Sequence, residues 1–427
     1  MSGLLDGFRF LHRRALGRMG SLGWNSLLLF FVWRLGDAGN FLYQLILGRE
    51  LQQLDFGAVQ PIFSVIAFLA IPISVVYQLG TKSMSRLLAV GRIEQCAGLT
   101  RDLIKLAAVG SILSALSVYL LGDYILLRLH LNGGVYEWIL GGMMVMAWWS
   151  PLAMAMIRGT GRFWLTAIPC TVGPISMIVL TFLLVVVWKM GLPGALVVRP
   201  VSGGLAAALV FLSVRKVFMV ARAEYHEERT VMVSALLPMS VYIVSTTLLF
   251  HFDPLIVRNF MVAESAGYGA VLTLGRIPLW FVSPLIFVIF PLVAAGHAKG
   301  QSVVRFYGQS LTIGLTIAVL ASALFFLTGD AIMSAWDPKF APYGRYLWLY
   351  AMAMGLDANV QVIASAEMAR HRYSCVLYMA VPAIVMCGLL YALRTSLTLD
   401  GLFRTLVATR LIVLAGVFAS ARRSARP

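Results

Sequence analysis

Apolar stretches of about twenty residues follow one another along this chain with short polar breaks between them, and a helix needs that length to cross the hydrocarbon core of a bilayer. Sixty per cent of the 427 residues are hydrophobic and only 12% are charged, where soluble domains carry about 25% charged residues. Backbone polar groups in lipid are satisfied only within helices or closed barrels, and barrel strands read as segments of about ten alternating residues. No such alternation occurs in this sequence. The chain is therefore expected to be an all-α integral membrane protein of about twelve transmembrane helices.

The twelve stretches run approximately 24–47, 57–80, 103–121, 138–157, 164–188, 194–214, 232–257, 268–293, 307–328, 345–366, 374–393 and 401–420. Before them, residues 1–23 form a basic leader with Arg9, Arg13, Arg14 and Arg18. It lacks a small-residue cleavage site and runs into an apolar stretch too long for a signal-peptide core, so it is expected to stay on the mature chain, as an interfacial helix or a basic tail. Of the 34 Lys and Arg, 22 fall on the side of the N-terminus, seven on the opposite side and five inside the stretches. The positive-inside rule then makes both termini cytoplasmic in a bacterial inner membrane, with a linker at 215–231 and a basic tail at 421–427. Trp24, Trp138, Trp164, Trp188 and Trp348 fall near stretch ends, where amphipathic rings favour the headgroup level. The net charge of +16 is thus a topology signal, and with no basic domain interleaved with aromatics, nucleic acid is not an expected partner.

The sequence also repeats itself. Leu45-Ile46-Leu47, Arg49 and Phe56-Gly57-Ala58-Val59 are echoed by Leu255-Ile256-Val257, Arg258 and Tyr268-Gly269-Ala270-Val271, about 210 residues on. That offset is half the chain, which predicts two parallel six-helix lobes at 24–214 and 232–420.

Several chemistries are disfavoured. There is no phosphate-cradling Gly-x4-Gly-Lys-Ser/Thr loop and no soluble domain to hold a nucleotide, so a gradient would supply the energy. His12, His130, His226, His251, His297 and His371 are scattered, and Cys96, Cys170, Cys375 and Cys387 show no metal-type spacing and read as reduced thiols. The loops opposite the N-terminus are short and poor in carboxylates. No catalytic residue, metal or cofactor is expected, and the chain reads as a non-enzyme.

What remains is the set of ionisable groups inside stretches: Arg34, Asp37, Arg199, Asp253, Arg276, Asp357, Arg404 and Arg410. An arginine at mid-bilayer costs about 2.5–3.5 kcal/mol on insertion scales, so several retained together imply a cavity or partners. Arg34, Asp37, Asn40 and Gln44 follow three- and four-residue steps and share one stripe of a helix, expected to face the interior as a structural pair or as a substrate path. Asp357, Asn359 and Gln361 form a shorter polar set, and Asp253 lies beside His251 toward the far end of its helix. Asp37, Asp253 and Asp357 are candidates for ion coupling, with helix capping or pairing to an arginine as the alternative. Arg404 is placed to snorkel, leaving Arg34, Arg199 and Arg276 as the cavity arginines. Five embedded positive charges against three negative suit an anion, and arginine pairs with phosphate oxygens in bidentate fashion. Trp148, Trp149 and Trp280 lie away from the belts and could stack on sugar rings or simply pack. Prolines such as Pro61, Pro72, Pro151, Pro174 and Pro278 would let helices bend.

Nearly the whole chain resembles the polysaccharide transporter branch, with its O-antigen flippases, of the multidrug, oligosaccharidyl-lipid and polysaccharide exporter superfamily. The most specific residues are Leu47-Gly48-Arg49-Glu50-Leu51 with Asp55-Phe56-Gly57, and Leu79-Gly80-Thr81-Lys82 with Ser85-Arg86. Gly159-Thr160-Gly161-Arg162, Phe252-Asp253, Ala266-Gly267-Tyr268 and Phe290-Pro291 follow in the family's order. The resemblance implies a MATE-like pair of six-helix lobes around a cationic cavity that opens to each side in turn. It further implies an undecaprenyl-pyrophosphate-linked oligosaccharide as cargo, membrane lipids around its polyprenyl tail, and polysaccharide polymerase or chain-length machinery as candidate partners. The alternatives are an ion-coupled drug or cation exporter of the same superfamily, which would prefer an acidic cavity, and a membrane-embedded polysaccharide enzyme or scaffold.

Overall fold

The computed structural model describes residues 31–89, 92–131, 133–159, 165, 167–218, 229–282, 304–370 and 372–424, and every regular element among them is helical. The basic leader, Trp24, Thr160-Gly161-Arg162, Trp164, most of the 215–231 linker, His297, His371 and the 283–293 half of the eighth stretch with Phe290-Pro291 lie outside the described residues.

Helix α1 covers 31–50, followed by α2 (Gln53–Leu69), α3 (Ile71–Ala89), α4 (Ile93–Arg128) and α5 (Val135–Gly159). Next come α6 (Ala167–Thr181), which runs on into a π-helical turn over Phe182–Val187, and α7 (Gly191–Phe218). The second half holds α8 (Arg229–Phe260), α9 (Ser265–Gly275), α10 (Ile277–Val282), α11 (Val304–Trp336), α12 (Leu347–Ala369), α13 (Ser374–Ala392) and α14 (Leu399–Ser424). Among the described residues nine helices are long and apolar enough to cross a membrane, or ten if α2 and α3 count as one bent span.

The second and third stretches depart from expectation for visible reasons. The second stretch is broken between α2 and α3 by a bend of 58°. Pro72 lies in the first turn of α3; it has no N–H to continue the ladder, and proline disfavours helical dihedrals just before it. Helix α4, with 36 residues, overruns 103–121 at both ends. At 1.5 Å per residue it is about 54 Å long, far more than a hydrocarbon core of about 30 Å, and its polar first turns account for the excess.

The helices pack in two groups. In the first, α5 touches α3, α4 and α7, and α7 touches α6. In the second, α12 is surrounded by α9, α10, α11 and α14, while α13 lies between α8 and α14. Helices α2 and α3 join the groups by packing on α8 and α9. Helix α1 is fixed to the first group where Gly39 presses on Pro174 and the buried Tyr43 hydroxyl donates to the Ala195 carbonyl at 2.8 Å. Large apolar side chains left outside, among them Leu113, Leu120, Phe326, Leu327, Ile384 and Val385, form the kind of surface that lipid covers. Trp138 and Trp188 are 79% and 65% exposed near helix ends, as an interfacial belt requires.

Small residues set the closest crossings. A Cβ on Gly355 would stand 2.2 Å from the Ala318 Cβ and 2.9 Å from its Cα, so α11 and α12 meet almost backbone to backbone. Gly355→Leu is therefore expected to lose at least about 1–3 kcal/mol by overpacking, read as a lower melting temperature of the purified protein. An unchanged melting temperature would mean that α11 and α12 do not cross at this point.

Candidate substrate site

The polar stripe of α1 is assembled by its helical spacing. Arg34 Nη2 pairs with Asp37 Oδ2 at 2.8 Å, and Asn40 Nδ2 donates to the Gly36 carbonyl at 3.1 Å. Arg199 Nη2, from α7, donates to Asn40 Oδ1 at 3.1 Å, while its guanidinium lies over the Phe63 ring of α2 at 4.0 Å and 5.8 Å from the Tyr43 ring. Gln44, 5% exposed, completes the stripe one turn on, with its Oε1 lacking a partner among the described residues.

Asp37, Asn40 and Arg199 line an open cavity of about 410 Å³ between α1, α5, α6 and α7. Its space comes from small residues, since Gly36, Gly173, Gly203, Ala206 and Ala207 lie on its walls. Prolines contribute too: Pro174 on α6 lines it, and Pro200 beside Arg199 removes one hydrogen-bond donor from α7.

Arg276 comes from the second group. It lies at the break between α9 and α10, where Pro278 follows two residues later, and beside Tyr350 of α12. The absence of a side chain on Gly275 lets that ring approach, because a Cβ there would stand 2.6 Å from Tyr350 Cδ1. Arg199 lies within electrostatic range of Arg276, and His251 of α8 within range of both. Ser64 Oγ of α2 and His251 Nδ1 are 3.4 Å apart, closing the set across the seam between the groups. The Nε–H groups of Arg199 and Arg276 are buried and have no acceptor among the described residues.

The remaining embedded charges are largely neutralised. Arg410, fully buried, donates from Nε to Asp357 Oδ2 at 2.8 Å, from Nη1 to the Leu406 carbonyl at 3.2 Å and from Nη2 to the Leu249 carbonyl. Of the alternatives open for Asp357, pairing to an arginine is thus the one seen. Asp253 does not sit at an exposed helix end but is fully buried, accepting from the Tyr268 hydroxyl on one oxygen while the other has no partner among the described residues. Arg404 points outward, 73% exposed, in an ion pair with Asp400 at 2.9 Å.

Two buried charges escaped the sequence reading. Arg258 is 2% exposed although it lies past the edge of its apolar stretch; the repeat match to Arg49 was its only signal. Glu367 is wholly buried, accepting from Tyr307 at 2.6 Å and from Arg370 at 3.2 Å. Of the five embedded arginines, Arg34, Arg404 and Arg410 are in ion pairs, which leaves Arg199 and Arg276, with Asp253 as the one embedded carboxylate outside a pair among the described residues.

Two of the three tryptophans singled out for stacking, Trp148 and Trp149, are engaged in packing. Trp148 Nε1 donates to Ser114 Oγ at 2.9 Å, with its ring against Gly110, and Trp149 meets Phe211 edge-on. Among the described residues no three His, Cys, Asp or Glu side chains are grouped to hold a metal ion. Cys96, Cys375 and Cys387 are free thiols.

No family model matches the sequence, and no curated protein matches it. Solved structures do match the fold. An inward-facing multidrug resistance MATE family transporter of the MOP superfamily aligns with a TM-score of 0.72 at 14% identity, over 92% of this chain and 94% of the other. The outward-facing conformation of such a transporter aligns at 0.69 and 14%, over 94% and 95%. The Vibrio cholerae MATE transporter VcmN in its bent form aligns at 0.66 and 16%, over 95% and 97%. The chain thus has a MATE-like transporter fold.

Proposed function

We propose that the protein is a flippase that carries an undecaprenyl-pyrophosphate-linked oligosaccharide across the bacterial inner membrane by alternating access, for cell-surface polysaccharide synthesis. One observation supports this reading most: Arg199 and Arg276, from opposite helix groups, lie within electrostatic range of each other, and each buries an Nε–H with no acceptor among the described residues. Like charges brought together in a dry interior repel unless an anion lies between them, and a pyrophosphate offers oxygens to both guanidinium forks. The adjoining cavity of about 410 Å³ has room for a sugar-sized headgroup, while the prenyl tail stays in lipid.

In this reading the two groups are six-helix lobes that rock about their seam, both termini are cytoplasmic, and polysaccharide polymerase or chain-length machinery receives the product. The carboxylates able to couple movement to an ion are Asp37, which lines the cavity, and Asp253, whose second oxygen has no partner among the described residues. The competing reading, a drug or cation exporter, draws on the named activity of the solved neighbours and on Asp37. It is disfavoured because Arg34 already occupies that carboxylate.

Reconstitution decides between them. Purified protein in liposomes should move a fluorescent, short-chain polyprenyl-pyrophosphate disaccharide between leaflets well above the protein-free rate. Movement of an organic cation dye with no movement of the glycolipid would replace the flippase with the exporter.

A further inference from the structure

The repeat noted in the sequence places Arg49 and Arg258 at equivalent positions, the upper ends of α1 and α8, upper being the end where those two helices finish. Each reaches into the opposite helix group. Arg49 donates from Nε to the Trp336 carbonyl at 2.9 Å and from Nη2 to the Ala335 carbonyl at 3.2 Å, the last two residues of α11. Arg258 donates from Nε to the carbonyl of Leu129, the C-cap of α4, at 2.8 Å, and from Nη1 to the Leu54 carbonyl at 2.9 Å. Counted by predicted stretches, α4 is third in its half and α11 third in the other. The arginine ending the first span of each half thus caps the third span of the other half.

Cations at helix C-termini meet carbonyls without intrahelical donors and the negative end of the helix dipole, so both contacts are favourable without any carboxylate. The surrounding seam is closely packed. Trp336 Nε1 donates to the Leu45 carbonyl at 3.1 Å, and a Cβ on Gly48 would stand 2.6 Å from the Trp336 ring. A Cβ on Gly57, inside the repeated motif, would stand 2.2 Å from Ser265 Oγ. The same Ser265 Oγ lies 3.3 Å from Arg258 Nη1.

We propose that Arg49 and Arg258 form a two-fold latch that holds the upper end shut in this conformation, and that both must release their carbonyls before that end opens. In the orientation given by the positive-inside rule this is the outer face, so the latch is the gate through which the cargo would leave. The proposal rests on the alternating-access reading for its purpose but not for its test. Arg258, buried, is the stronger half, and Arg49, exposed, the weaker.

Ala266, 3% exposed at the top of α9 beside Gly57, reports on the seam when changed to cysteine. Full-length Ala266→Cys protein in lipid nanodiscs is treated with a maleimide, and labelling at each cysteine is followed by peptide mass spectrometry. Adding Arg258→Gln, or Arg49→Gln with Arg258→Gln, is expected to speed labelling at position 266 by about tenfold or more, the factor worth about one charge-assisted hydrogen bond. Arg49→Gln alone gives a smaller rise and carries the test if the double variant is not monodisperse. Cys170 and Cys375, near the lower ends of α6 and α13, should label as before. Labelling at 266 that stays unchanged, or that rises only in step with Cys170 and Cys375 as unfolding would cause, overturns the latch. Neither result touches the flippase reading, which is judged by glycolipid movement alone.

Discussion

Replacing Arg410 by methionine is expected to cost about 3–5 kcal/mol of stability, because it strands the buried Asp357 carboxylate without its counter-charge. Arg410 is fully buried and spends its donors on Asp357 and on the carbonyls of Leu406, in its own helix, and Leu249, in α8. It therefore ties α14 to both α12 and α8. Paired buried charges give back much of their desolvation only while both are present, so removing one partner is worse than removing both. The double variant Asp357→Leu with Arg410→Met should accordingly recover a large part of the loss, and the double-mutant cycle should show a coupling of up to about 3 kcal/mol. Melting of the detergent-purified protein measures both. If Arg410→Met melts like the wild type, Asp357 is not locked to Arg410 and returns as a candidate for ion coupling.

The second large effect is on transport and not on stability. Arg199→Ala or Arg276→Ala should slow glycolipid movement by at least about tenfold each, since each removes a charge-assisted contact worth about 1.5–3 kcal/mol from the anion. Folding should hardly suffer. Arg199 makes one side-chain hydrogen bond among the described residues, to Asn40, and stacks on the Phe63 ring, and relieving its repulsion with Arg276 offsets part of that loss. Arg276→Lys keeps the charge but not the planar fork, so it should retain part of the rate, whereas Arg276→Glu should abolish it. Equal rates for alanine and wild type, with the protein still folded, would take the two arginines out of the substrate path.

How far the sequence could be read follows from what each feature depends on. Helices declare themselves through runs of apolar residues, and most stretches coincide with a described helix because nothing competes with helix formation in lipid. The bend between α2 and α3 was not singled out. Pro72 marks it, but Pro151 and Pro174 lie inside continuous helices, so proline alone does not say where a span breaks. The stripe on α1 was legible because Arg34, Asp37 and Asn40 belong to one helix and its period brings them together. Arg199 lies 159 residues from Asn40 and Arg410 lies 53 from Asp357. Those encounters depend on how neighbouring helices are rotated, which hydropathy does not encode. Arg258 illustrates the same limit at a helix end, where an arginine is ordinarily solvated and only the neighbouring chain makes it buried.

The account turns on the cargo, and the lipid pool of the cell reads it directly. Deleting the gene in its own host and extracting the lipids for mass spectrometry should reveal accumulation of a polyprenyl-pyrophosphate oligosaccharide. Wild-type protein should clear it, while the Arg199→Ala, Arg276→Ala double variant, expressed to the same level in the membrane, should not. A lipid pool unchanged by the deletion would contradict the flippase reading and leave a transporter fold whose cargo is something other than a lipid-linked glycan.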